Sequence, residues 1–97
     1  MNVTVARIYV TEGKHVHNAI FSRLHDVEKL RGVTVFRGIS GFGKSGRVHS
    51  STLLDISLDM PVVIEFFDSP EKVRIAIENI KPLIKPGHVL TFSAELS

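Results

Sequence analysis

Pro61-Val62-Val63-Ile64-Glu65-Phe66-Phe67-Asp68-Ser69-Pro70-Glu71 sets the end of a strand directly against the start of a helix. Val62 to Phe67 is the β-branched and aromatic run of a buried strand. Ser69 is a preferred N-cap, Pro70 has the fixed φ of a first helical position, and Glu71 faces the positive helix end. Downstream, Val73, Ile77, Ile80 and Ile84 recur at helical spacing, so the sequence predicts a strand that turns at once into an amphipathic helix. Pro82 and Pro86-Gly87 close that helix, and Val89-Leu90-Thr91-Phe92-Ser93 reads as a last strand.

Working backwards, Leu54, Ile56 and Leu58 alternate with Asp55, Ser57 and Asp59, the period of a half-exposed strand. Residues 53–67 are therefore expected to run antiparallel to an earlier strand at residues 33–39. The chain begins with another β-branched run, residues 2–10, broken at Thr11-Glu12-Gly13. From Lys14, Val16, Ile20, Leu24 and Val27 mark a helix of about four turns that is expected to end before Gly32. The tight strand, helix and strand sequence suggests a parallel βαβ unit. The full order is βαββαβ, an α+β ferredoxin-like sandwich with both helices on one face of a four-stranded antiparallel sheet.

Ninety-seven residues suit one domain, residues 1–97. Hydrophobic residues are 43% of the chain and mean hydropathy is +0.16, high for so small a core. The uncovered sheet face is therefore expected to meet another copy. Twelve basic against ten acidic residues leave a net charge of +2, too balanced for a protein that grips a nucleic-acid backbone. The absence of cysteine excludes disulfides, zinc–thiolate sites and thiol nucleophiles. No signal-peptide pattern and no membrane-length apolar run is present, which predicts a cytoplasmic protein without membrane insertion.

Residues 40–52, Ser-Gly-Phe-Gly-Lys-Ser-Gly-Arg-Val-His-Ser-Ser-Thr, read as one long loop. Gly38-Ile39-Ser40-Gly41-Phe42-Gly43-Lys44-Ser45 matches G-x-x-x-x-G-K-[ST], the spacing of a phosphate-cradling loop. A phosphate-hydrolase loop leads into a helix, however, and residues 45–51 carry no helical period. Two readings stay open from the residues themselves. Glycines can turn backbone N–H groups toward an anion beside Lys44 and Arg47, or they make a simple turn with solvated charges. His15 and His17 fall on different sides of the first helix, so no metal cluster is expected, while His49 and His88 sit at loop positions able to approach a ligand. Glu65 is a lone carboxylate in an apolar strand, and nothing assembles an enzyme.

Residues 35–43, Val-Phe-Arg-Gly-Ile-Ser-Gly-Phe-Gly, followed by Arg47-Val48-His49 and residues 61–69, resemble the PII-like family known as domain of unknown function 190. Arg7-Ile8-Tyr9-Val10 and Ala19-Ile20 fit the same pattern, so the resemblance spans nearly the whole chain. It implies a PII-like homotrimer and a non-enzymatic regulator. The implied ligand is small and anionic, an adenine nucleotide held between subunits, with no obligatory cofactor. It also implies a regulatory loop at 40–52 that controls a partner, such as a membrane transporter. Carried onto this sequence, the ligand residues are Arg37, Gly38, Gly41, Phe42, Gly43, Lys44, Arg47 and His49 from the loop, with Lys85, Gly87 and His88 from the connection before the last strand. The alternative is a ligand-independent interaction module built on the same loop.

Overall fold

The computed structural model describes residues 1–11, 16–43, 46 and 60–97, together with the backbone of 48–50. The elements are β1 (Asn2–Thr11), α1 (Val16–Arg23), a π-helical turn (Leu24–Glu28), β2 (Gly32–Arg37), β3 (Ser40–Phe42), β4 (Val48–Ser50), β5 (Pro61–Asp68), α2 (Pro70–Ile80), a 3-10 turn (Lys81–Leu83) and β6 (Val89–Glu95). Four strands form one sheet in the order β2-β5-β1-β6, and β3 with β4 forms a separate two-stranded ribbon. This is the ferredoxin-like arrangement that the element order predicts.

β5 lies between β1 and β2, antiparallel to both. β1 and β2 therefore run parallel without touching, and the expected βαβ unit is of the split kind. Along β5 burial alternates without a break: Val62, Ile64, Phe66 and Asp68 are buried, while Val63, Glu65 and Phe67 are half-buried on the other face. Val62, Ile64 and Phe66 join Ala6 and Ile8 of β1, Ile20 and Leu24 of the first helix, and Val73, Ala76 and Ile80 of α2 in one core. Each fully buried Ile, Leu or Phe contributes about 1.5–3 kcal/mol by leaving water.

Three boundaries differ from the sequence expectation. The first helix widens into the π-helical turn and stops at Lys29, whose φ of 52° is left-handed, so Gly32 opens β2 instead of capping the helix. The second helix ends at Ile80, because Pro82 forces a tighter turn, and Ile84 is extended beyond it. Residues 40–52 are not simply a loop: Ser40 pairs with Ser50, Gly41 with His49 and Phe42 with Val48. The expected strand at residues 53–59 and the break at Glu12-Gly13 lie outside the described residues.

A buried carboxylate locks the two helix connections together. Asp68 is 8% exposed, and its two oxygens accept from the backbone N–H groups of Ser69 at 2.7 Å and Arg31 at 2.8 Å. Lys72 lies 3.6 Å from the same carboxylate and donates to the carbonyl of Lys29 at 2.9 Å. The Ser69 hydroxyl caps α2 by accepting from Lys72 N–H at 3.3 Å. Burial alone pushes the Asp68 pKa up, but the N–H donors of Ser69 and Arg31 and the Lys72 charge outweigh it and hold the carboxyl below its usual value.

Asp68→Asn leaves one carbonyl oxygen for two N–H donors, and thermal unfolding at pH 7 should show a loss of about 1–3 kcal/mol. Because the folded pKa is depressed, the ionised form stabilises fully above the unfolded value near 3.9 and that contribution fades as pH falls through the folded one. The gap between wild type and variant should therefore narrow below about pH 4, and a gap that is flat with pH would disprove the charge-based account.

Candidate functional site

The described members of both groups of sequence-predicted residues fall at one end of the sheet. Arg37 ends β2 opposite Val62, and Gly38 N–H donates to the carbonyl of Pro61 at 2.7 Å. Pro61 in turn pairs with Thr11 of β1, and Tyr9 N–H donates to the carbonyl of His88 at 2.9 Å. The ribbon root and the α2–β6 connection are thus fixed to the same strand ends. They occupy opposite edges, β2 and β6, three strand spacings or roughly 14 Å apart.

The glycines at the ribbon root divide by role. A Cβ on Gly38 would lie 2.8 Å from Pro61 Cγ and 3.3 Å from its carbonyl oxygen, and one on Gly41 would lie 3.3 Å from the same Cγ. These two glycines let the ribbon root sit on Pro61. Among the described residues, a Cβ on Gly43 would meet nothing within 4 Å. Gly46, at φ +77°, closes the turn by donating its N–H to the Gly43 carbonyl at 2.9 Å. Phe42 is 74% exposed and Ile39 81%, an apolar pair beside a basic strand end. His49 stands opposite Gly41 in the ribbon backbone, while Lys44 and Arg47 lie outside the described residues.

The α2–β6 connection is built by prolines and one left-handed glycine. Pro82 and Pro86 stop helical continuation. Ile84 N–H donates to the Lys81 carbonyl, Gly87 has φ +79°, and His88 N–H donates to the Lys85 carbonyl at 3.2 Å. His88 Nδ1 lies 3.1 Å from the Pro86 carbonyl, which holds the ring against the turn. Beside it is a cavity of about 300 Å³ lined by Ile77, Lys81, Ile84, Lys85, Pro86, Gly87 and Val89. Its apolar wall suits a flat ring, and Lys81 and Lys85 bring positive charge to its rim, the Lys81 ammonium lying 3.7 Å from Glu78 Oε2.

Lys81 was missed in the sequence reading. The signal was present as the repeated Lys-Pro step, Lys81-Pro82 and Lys85-Pro86, which brings both ammonium stems to one turn. Among the described residues no group of three or more His, Asp or Glu could hold a metal ion, and no helix is long and apolar enough to cross a membrane.

The chain shares its ferredoxin-like fold with solved PII-like and CutA1 proteins. CPII from Thiomonas intermedia K12, a nitrogen regulatory PII-like protein bound to ADP, AMP and bicarbonate, matches with a TM-score of 0.74 and 21% identity, over 99% of this chain and 89% of that one. The divalent ion tolerance protein CutA1 from Ehrlichia chaffeensis matches with a TM-score of 0.64 and 10% identity, over 99% and 82% of the two chains. At these identities the likeness concerns the fold. The chain itself belongs to the DUF190 family, described as "Uncharacterized ACR", whose profile matches residues 3–96. A UPF0166 protein of Aquifex aeolicus (strain VF5) is 36% identical over 70 residues, covering 72% of this chain and 66% of that protein.

Gly38→Ala must push Pro61 or the ribbon aside, and should cost about 1–3 kcal/mol in chemical denaturation. Gly43→Ala should stay within about 0.5 kcal/mol of wild type. Equal losses at the two positions would contradict this division of roles.

Proposed function

We propose that the protein is a non-enzymatic PII-like regulator. It assembles as a homotrimer, binds an adenine nucleotide between copies, and controls a partner protein through residues 40–52. The observation that supports this reading is that the ribbon root at Arg37-Gly38 and the Lys85–His88 connection lie at one end of the sheet but on opposite edges. One copy offers two half-sites. Where the β2 edge of one copy meets the β6 edge of the next, Arg37, Gly38, Gly41, Phe42, Gly43, Lys44, Arg47 and His49 face Lys85, Gly87 and His88. The cavity beside Lys85 takes the ring or the phosphate end, and the glycine-bearing ribbon root takes the other. The shared fold with a PII-like protein bound to ADP and AMP supports the ligand class.

The exposure of Ile39 and Phe42 favours a second reading, a ligand-independent interaction module that uses the ribbon root as a constant apolar contact. Thermal unfolding and calorimetric titration with AMP, ADP and ATP, with and without magnesium, separate the two. A nucleotide at a hundred times its dissociation constant should stabilise the native state by about 2.7 kcal/mol. Lys85→Ala should weaken its binding about tenfold while leaving unliganded stability near wild type. A flat response to every nucleotide would reject the regulator and leave the interaction module.

A further inference from the structure

Val16, Ile20, Leu24 and Val27 are spaced as the apolar stripe of an α-helix, yet the structure does not bury the last of them. Ile20 and Leu24 are fully buried, while Val27 is 57% exposed. The side chain turned inward is that of Glu28, which is 7% exposed. The cause is the π-helical turn at Leu24–Glu28, closed by the Lys29 N–H on the Leu24 carbonyl, one residue wider than an α-turn. That extra residue sets the end of the helix out of α phase, so a carboxylate takes the place the apolar spacing reserves for Val27.

Three contacts hold the wide turn. Arg23 Nε donates to Glu28 Oε2 at 3.2 Å, a pairing five residues apart, whereas side chains meet three or four apart on an α-helix. From α2, Asn79 Nδ2 donates to both Glu28 oxygens at 3.1 and 3.2 Å, and Lys72 donates to the carbonyl of the left-handed Lys29. Beyond them the Arg31 N–H is fixed on Asp68, so a change of register is taken up at Lys29 and Leu30 and β2 keeps its pairing. We propose that the end of the first helix is a two-register switch, held wide by the clasp of Glu28 on Arg23 and Asn79, and that release of the clasp exchanges Glu28 for Val27 on the side facing α2. The outer surface is then apolar in the wide register and acidic in the narrow one. Whatever covers Val27 favours the wide register, and whatever competes for Arg23 or Asn79 favours the narrow one.

The chain has no cysteine, so Val27→Cys supplies a single thiol whose rate of labelling by a maleimide reads the register. In the chain carrying that substitution alone, the thiol should react at close to its rate in the denatured protein. Adding Asn79→Asp, which sets a second carboxylate against Glu28, or separately Arg23→Met, should slow labelling about tenfold or more while circular dichroism shows the fold intact. Both altered side chains belong to exposed residues. A folded double variant that labels as fast as its parent overturns the switch, and so does a thiol already protected in the parent. Loss of the folded state in both double variants overturns it equally, because the narrow register is then no stable alternative.

Discussion

Everything in this structure depends on β5 being paired on both sides. A strand at that position must satisfy backbone donors and acceptors along two edges while its side chains alternate between a helix-covered and an open face. Val62, Ile64 and Phe66 are drawn into the core by that alternation, and Glu65, one step out of phase, is necessarily put on the far side. A slip of one residue would bury Glu65 and expose Phe66, a cost no compact state of this chain could offset. The register therefore sets both the core and the chemistry of the open face.

The same constraint carries the candidate site. Pro61 begins β5, and having no N–H it suits a strand start, yet its carbonyl and ring support the ribbon root through Gly38 and Gly41. At the other edge, His88 is tied to β1 by its carbonyl, so the Lys85–Gly87 turn is held by the sheet rather than by the helix before it. Rooting the ends of such segments on the sheet is the usual division of labour between scaffold and functional segment. Asp68, at the opposite end of β5, performs the corresponding task for the helices, binding the N–H groups of two separate connections.

The order of elements was legible because each carries a local signature. Ser69-Pro70-Glu71 announces a helix start whatever surrounds it, and the observed cap confirms that reading. The first helix was legible as a helix but not in its end: Arg31-Gly32 offers an ordinary stop, yet Lys29 takes the left-handed turn, and Lys72, distant in sequence, donates to its carbonyl. The ribbon within residues 40–52 was hidden by its glycines and serines, which locally favour turns. Its pairing is secured only when Gly38 and Gly41 meet Pro61, itself far along the chain.

By itself the sequence determined the kinds of element, their order, the α+β class and the family, because periodicity, capping residues and short motifs are read within a few residues of chain. The tertiary structure alone decided which strands are neighbours, that the basic and glycine-bearing segments share one end of the sheet on opposite edges, and that Arg7 and Glu65 meet on an open apolar face. Those relations join residues dozens of positions apart. They arise from strand register and layer packing, which no local propensity encodes.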